Sequence, residues 1–236
     1  MISDITASDA CWFHYRLIPL ILLAAGNTLA GTDQQPELFR AVMSGNIEAI
    51  RSTLDNGADI NARKVNGSCC ALILATITGR EDIVRYLLSR GADPDIADTA
   101  GMTALHQAAV SGRSDMAAEL LEQGAAVDAR NAAGATPLLF ALAKRDAVLT
   151  HILLKQGADA SIMEQRNDMT ALMLAVEQED AASLRMLLQH GAEVNAVNAD
   201  DTTALMLAAA KADGMLARLL LDHGAKGNLR NSNGMT

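Results

Sequence analysis

The chain has 236 residues and a formal net charge of −9; half of its residues are hydrophobic but only 3% are aromatic. Ala, Leu, Met, Ile and Val must therefore build the core, which favours closely stacked helices, and too few rings remain for an aromatic ligand pocket or a base-stacking platform. The acidic balance lacks the clustered Lys and Arg that phosphate neutralisation needs, so nucleic acid is not an expected partner, and no run reaches the ~18 to 20 apolar residues of a stable membrane span.

In chain order, the first feature is Arg16 followed by the apolar run Leu17 to Ala25, a polar break, and Thr28-Leu29-Ala30 before Gly31-Thr32-Asp33. A cationic flank, a short apolar core and a small residue at the end resemble a secretory signal peptide over residues 1–30. Asp4 and Asp9 run against the net positive charge usual in such a leader, and a tail or a hydrophobic cap helix is the other reading. With export, the compartment is periplasmic or secreted; without it, cytoplasmic.

The rest of the chain is periodic. Gly-Ala pairs recur at 57, 91, 124, 157, 191 and 224, with intervals of 34, 33, 33, 34 and 33 residues. A fixed period of this size marks a solenoid of stacked units. A Leu pair precedes most of these Gly-Ala pairs (Leu87-Leu88, Leu120-Leu121, Leu153-Leu154, Leu187-Leu188, Leu220-Leu221), as at the end of an amphipathic helix closed by a left-handed Gly. Upstream of each lies a shorter apolar segment, such as Ala71 to Ala75 or Ala171 to Ala175, so one unit reads as helix, turn, helix, hairpin loop. Gly79 and Gly112 fill the inter-helix turn, whereas Arg145, Glu179 and Ala212 replace that Gly later and predict strain there. Hairpins two and five carry one extra residue each.

Thr103-Ala104-Leu105-His106-Gln107-Ala108-Ala109 and Thr136-Pro137-Leu138 resemble the ankyrin-repeat signature, and the resemblance covers residues 35–236. It implies an all-α ankyrin-repeat solenoid of stacked helix-turn-helix units. Residues 31–66 make an N-terminal capping repeat with Glu37, Arg40, Glu48 and Arg51 on a polar outer face; residues 67–233 make five further repeats, and 234–236 begin an incomplete seventh. The resemblance further implies that Thr103, Thr136, Thr170 and Thr203 cap the first helices, that His106 is structural, and that Asp98, Asn131, Asn198 and Asn231 tie one loop to the next. An array that breaks off in this way predicts a weakly held sixth repeat, with Leu205, Met206 and the segment Met215 to Asp222 offering an apolar edge.

Catalytic motifs are missing: the sequence holds no phosphate-cradling Gly-rich loop, no nucleophile elbow and no Cys-x-x-Cys, so neither an enzyme nor a cofactor is expected. His190 and His223 precede capping glycines, where an imidazole suits a helix C-terminus. Cys69-Cys70 reads as two small residues at a helix start, since a disulfide between neighbours is strained and two thiols make half a zinc site. A redox-responsive or metal-linked protective role for that pair is the alternative, as is an effector delivered into another cell.

The function expected of such a ladder is non-enzymatic: an adaptor, scaffold or inhibitor that holds a protein partner on its concave face, built from hairpin tips and inner helices. The residues that the repeat leaves variable there are Arg63, Lys64, Val65, Thr99, Met102, Arg130, Met169 and Asp200 on the fingers, with Val110, Ser111, Lys144, Glu177, Gln178 and Lys211 along the inner helices.

Overall fold

The periodic sequence folds into twelve helices among the residues that the computed structural model describes, 36–64, 68–163 and 168–236. They alternate as inner and outer helices. The inner row is α1 (Pro36–Ser44), α3 (Ala71–Thr78), α5 (Ala104–Ser111), α7 (Pro137–Ala143), α9 (Ala171–Glu177) and α11 (Ala204–Ala210). The outer row is α2 (Ile47–Asp55), α4 (Glu81–Ser89), α6 (Ser114–Glu122), α8 (Ala147–Lys155), α10 (Ala181–Gln189) and α12 (Gly214–Asp222). Each inner helix packs on its own outer partner and on the next inner helix, and from α4 on each outer helix packs on the next outer one. The expected signal segment 1–30 lies outside the described residues, and among the described residues no helix is long and apolar enough to cross a membrane.

Two kinds of helix follow from two kinds of environment. Inner helices such as Ala71–Thr78 are buried nearly all round, from Ala71 to Thr76, because neighbours press on them from several sides. Small Ala residues at 71, 75, 104, 108, 141, 171, 175, 204 and 208 let those backbones approach. Outer helices bury one stripe only, for example Ile83, Val84, Leu87 and Leu88 of α4. Every outer helix ends two residues before a Gly with positive φ, from Gly57 to Gly224, where the added Cβ would meet open space, so the requirement is conformational.

Inner helices start as expected, with one exception. Thr103, Thr170 and Thr203 accept from the backbone N–H three residues on. Thr136 sits at the same place but its Oγ1 is buried without a partner, and Pro137 follows it as the first helical residue. Cys70 starts α3 without a side-chain cap, and both thiols are free and buried, with burial pushing each thiol's pKa up. The extra residue of hairpins two and five shows at the loop necks: Arg63 pairs with Cys70 and Met163 with Thr170, one residue further apart than Val197 and Thr203.

At the last unit the expected apolar edge is partial. Met215 and Leu221 are exposed and Leu205 is half-buried, but Met206 turns inward and is buried, because it occupies the core-facing position that Met173 fills in the preceding repeat.

Candidate binding surface

The fingers are held in register by a ladder that the sequence reading overlooked. In each finger one short polar side chain accepts a backbone N–H from the next: Asn61 from Asp93, Asp95 from Ala126, Asp128 from Asp159, Ser161 from Glu193, and Asn195 from Lys226, at 2.8–3.2 Å. The residues recur with the repeat period, which was the available signal. The residues expected to tie loops together instead close their own. Oδ1 of Asp98 accepts from Ala100 and Met102, Asn131 from Ala133 and Ala135, Asn198 from Asp200 and Thr202, and Asn231 from Asn233 and Met235. These are Asx-type turns, in which the short side chain substitutes for a turn carbonyl. Only the Asn131 and Asn231 amides reach back, to Met102 Sδ (3.3 Å) and Thr202 Oγ1 (3.5 Å).

His106 fixes the junction between repeats three and four. Its Nε2 lies 3.1 Å from the carbonyl of Ala135, which can only accept, so Nε2 carries the proton and Nδ1 accepts from Thr103. Burial lowers its pKa from 6.5 to about 4, so the ring is neutral at physiological pH. His190 and His223 each bond a carbonyl of the last helical turn, Met186 and Leu219, through Nδ1.

On the fingers, Arg63, Thr99, Arg130 and Asp200 are exposed, and Met169 is half-buried. Lys64 is half-buried with Nζ 5.5 Å from the centre of the Phe39 ring, so part of its role is to cover the first repeat. Met102 is not available to a partner: it is 3% exposed, and its sulfur receives the Asn131 amide, because the tight loop 98–102 folds its last residue under the next finger. Val65 lies outside the described residues. Along the inner row, Ser111, Lys144, Glu177 and Lys211 are exposed, and Val110 and Gln178 half-buried.

Several of these side chains are engaged between repeats. Lys211 Nζ lies 3.6 Å from both Glu177 Oε2 and Glu179 Oε1. Gln178 accepts from Arg145, through Oε1 at 3.2 Å and through its backbone carbonyl. The surface is therefore pre-ordered, which lowers the side-chain entropy lost on binding. Among the described residues no group of three or more His, Cys, Asp or Glu is arranged to hold a metal ion.

Comparison with known proteins agrees with this geometry. The family model described as ankyrin repeats (3 copies) matches residues 38–131, 119–198 and 138–231. Among curated proteins, the chain is 44% identical over 64 residues to mouse protein phosphatase 1 regulatory subunit 27, covering 27% of this chain and 41% of that one. It is 37% identical over 87 residues to protein PhlB of Serratia liquefaciens, covering 37% and 38%. The match to the E3 ubiquitin-protein ligase KEG of Arabidopsis thaliana, at 36% identity over 94 residues, spans 39% of this chain and only 6% of the ligase. The chain thus spans well under half the length of these relatives. Among solved structures, the ankyrin repeat domain of Bcl-3 superposes with a TM-score of 0.78 at 31% identity, covering 86% of this chain and 92% of that one.

Proposed function

This chain belongs to the ankyrin-repeat family, and from that premise we propose that it is a non-enzymatic adaptor, scaffold or inhibitor that holds a protein partner on the face of its fingers and inner helices, after export. The observation that carries the reading is the division of labour within each repeat. Apolar positions recur and are buried, while the exposed ends of successive fingers and inner helices differ: Arg63, Thr99, Arg130 and Asp200, or Ser111, Lys144, Glu177 and Lys211. A rigid scaffold with a variable rim is what a recognition surface requires. Burial of Cys69 and Cys70, with raised thiol pKa values, works against a redox role for that pair, because the thiolate is the reactive form. Export rests on the sequence of residues 1–30 alone.

The test is capture from an envelope extract on the purified chain, wild type against Arg63→Glu/Arg130→Glu and against the outer-row pair Val148→Asp/Met215→Asp. Both of the latter side chains are 63% exposed, so these changes should leave the fold intact. A partner lost only with the finger variant, at an unchanged thermal midpoint, is the expected result. Loss with the outer-row variant alone would move the site to the other face. N-terminal sequencing of the natural protein checks export: a start at or near Gly31 is expected, and an intact Met1 on soluble cytoplasmic protein would overturn it.

A further inference from the structure

A single amide interrupts an otherwise apolar strip of the inner row. The fourth residue of each inner helix from α3 to α11 occupies one position of the repeat: Leu74, Gln107, Phe140, Leu174 and Leu207. On the next turn of α3, α5 and α7 the same face carries Ile77, Val110 and Ala143, all half-buried. These three helices hold no formal charge, because His106, their one titratable residue, is neutral at physiological pH.

Gln107 is 6% exposed, yet its side-chain amide makes no hydrogen bond among the described residues, and neither its oxygen nor its nitrogen is sealed from solvent. The other buried polar side chains among the described residues differ. They are bonded within the protein, as Thr76 is to the Leu72 carbonyl and Thr103 to His106, or closed off, as the Thr136 and Thr150 hydroxyls are. Packing does not require an amide at 107, since leucine serves the same position in repeats two, five and six. What the amide adds is an acceptor beside donors, in the row between Leu74 of α3 and Phe140 of α7, the two helices on which α5 packs. An extended chain presents the matching N–H and C=O of one residue side by side, whereas a helix bonds both internally. On an uncharged and partly dehydrated strip such a pair of bonds is stronger than in water, and no charge has to be desolvated to make it.

We propose that the uncharged inner-row face of repeats two to four takes an extended, apolar segment of the partner protein, and that the Gln107 amide pairs with the backbone N–H and C=O of one residue of that segment. The inference rests on the binding-face reading above and names the chemistry of the partner. Apolar side chains of the segment would lie along Leu74 and Ile77 on one side and Phe140 and Ala143 on the other, with main-chain bonds giving affinity and alternate side chains giving selectivity.

The experiment selects short random displayed peptides on the purified chain, with counter-selection on Gln107→Leu, and measures the enriched sequences as synthetic peptides by fluorescence anisotropy. Gln107→Leu copies the neighbouring repeats, so its thermal midpoint should equal or exceed that of the wild type; Gln107→Met is the second variant should leucine disturb the fold. Expected are uncharged peptides with apolar residues at alternate positions, about tenfold weaker binding to Gln107→Leu, and one peptide residue whose N-methylation weakens binding to the wild type but not to the variant. The side-chain amide resonance of Gln107 should shift when the peptide binds. The proposal is overturned if no peptide separates the two chains, if the enriched peptides are charged or carry apolar residues at helical spacing, if N-methylation acts equally on both chains, or if the Gln107 resonance stays in place because water alone serves that amide. If a partner is captured through the finger face and Gln107→Leu still captures it, this inference falls and the proposed function stands. Capture lost only by the outer-row variant takes down the proposed function itself.

Discussion

Repeats two and three turn between their helices on a glycine followed by arginine, Gly79-Arg80 and Gly112-Arg113, whereas repeats four to six turn on Arg145-Asp146, Glu179-Asp180 and Ala212-Asp213. The backbone is the same in both halves. Gly79 and Gly112 have φ of 72° and 65°, and Arg145, Glu179 and Ala212 sit at 55–56°, in the left-handed region that costs a residue with a Cβ about 1 kcal/mol or more. What differs is how the turn is stabilised. Arg80 and Arg113 give their helices no side-chain cap, while Asp146, Asp180 and Asp213 each accept from the first-turn backbone N–H groups, a contribution of about 1 kcal/mol. The cap of the later turns offsets the strain beside it. The fingers follow the same division, with Gly101 and Gly134 in repeats three and four and Asp168 and Asp201 at positive φ in five and six. One fold is therefore reached by two local solutions of similar net stability.

The sharpest way to break the comparison is Gly101→Ala. Besides a φ of 74°, its Cβ would stand 2.7 Å from the backbone nitrogen of Ala132, which donates to Ala100 in the ladder between fingers. Backbone cannot yield as a side-chain end can, so we expect a loss of about 3 kcal/mol in urea unfolding. A loss below about 1 kcal/mol, the cost of strain alone, would mean that the fingers slide freely.

Next in size is the pH response, which should localise to repeat three. His106 has no counterpart in the neighbouring repeats, where Ile73, Leu139, Met173 and Met206 fill its position. Its folded pKa of about 4 lies below the unfolded 6.5, so the unfolded chain binds the proton more readily. The stability from the neutral ring is complete above pH 6.5 and is lost as pH falls toward 4, about 2 kcal/mol of it by pH 5. His106→Gln should start less stable and show a flatter profile over that window; an equal slope would assign the response to other groups.

The smallest effects test the turns directly. Ala212 is exposed and sits at a φ of 56°, so Ala212→Gly should raise stability by about 1 kcal/mol, and Asp213→Ala should lower it by a similar amount. Gly112→Ala, whose Cβ would meet only Asp146 at 3.9 Å, should cost about 1 kcal/mol through φ alone. Opposite signs at 112 and 212 would confirm that both halves share one backbone.

By itself the sequence determined the period, the order of helices, the positive-φ turns and most of the caps, because each is settled by residues a few positions apart, as with Thr103 and His106 or Asp180 and Ser183. It also marked the exposed ends of the fingers, since residues that escape a repeat's apolar pattern are left outside it. Only the tertiary structure decided what happens between repeats. Met102 is tucked beneath the next finger, Thr136 keeps an unpartnered hydroxyl, Asn61 and its periodic counterparts join adjacent fingers, and Lys211 pairs with two glutamates. Those outcomes depend on how closely one unit's side chains approach residues about one repeat away in sequence, and that distance is set by stacking, which no local pattern encodes.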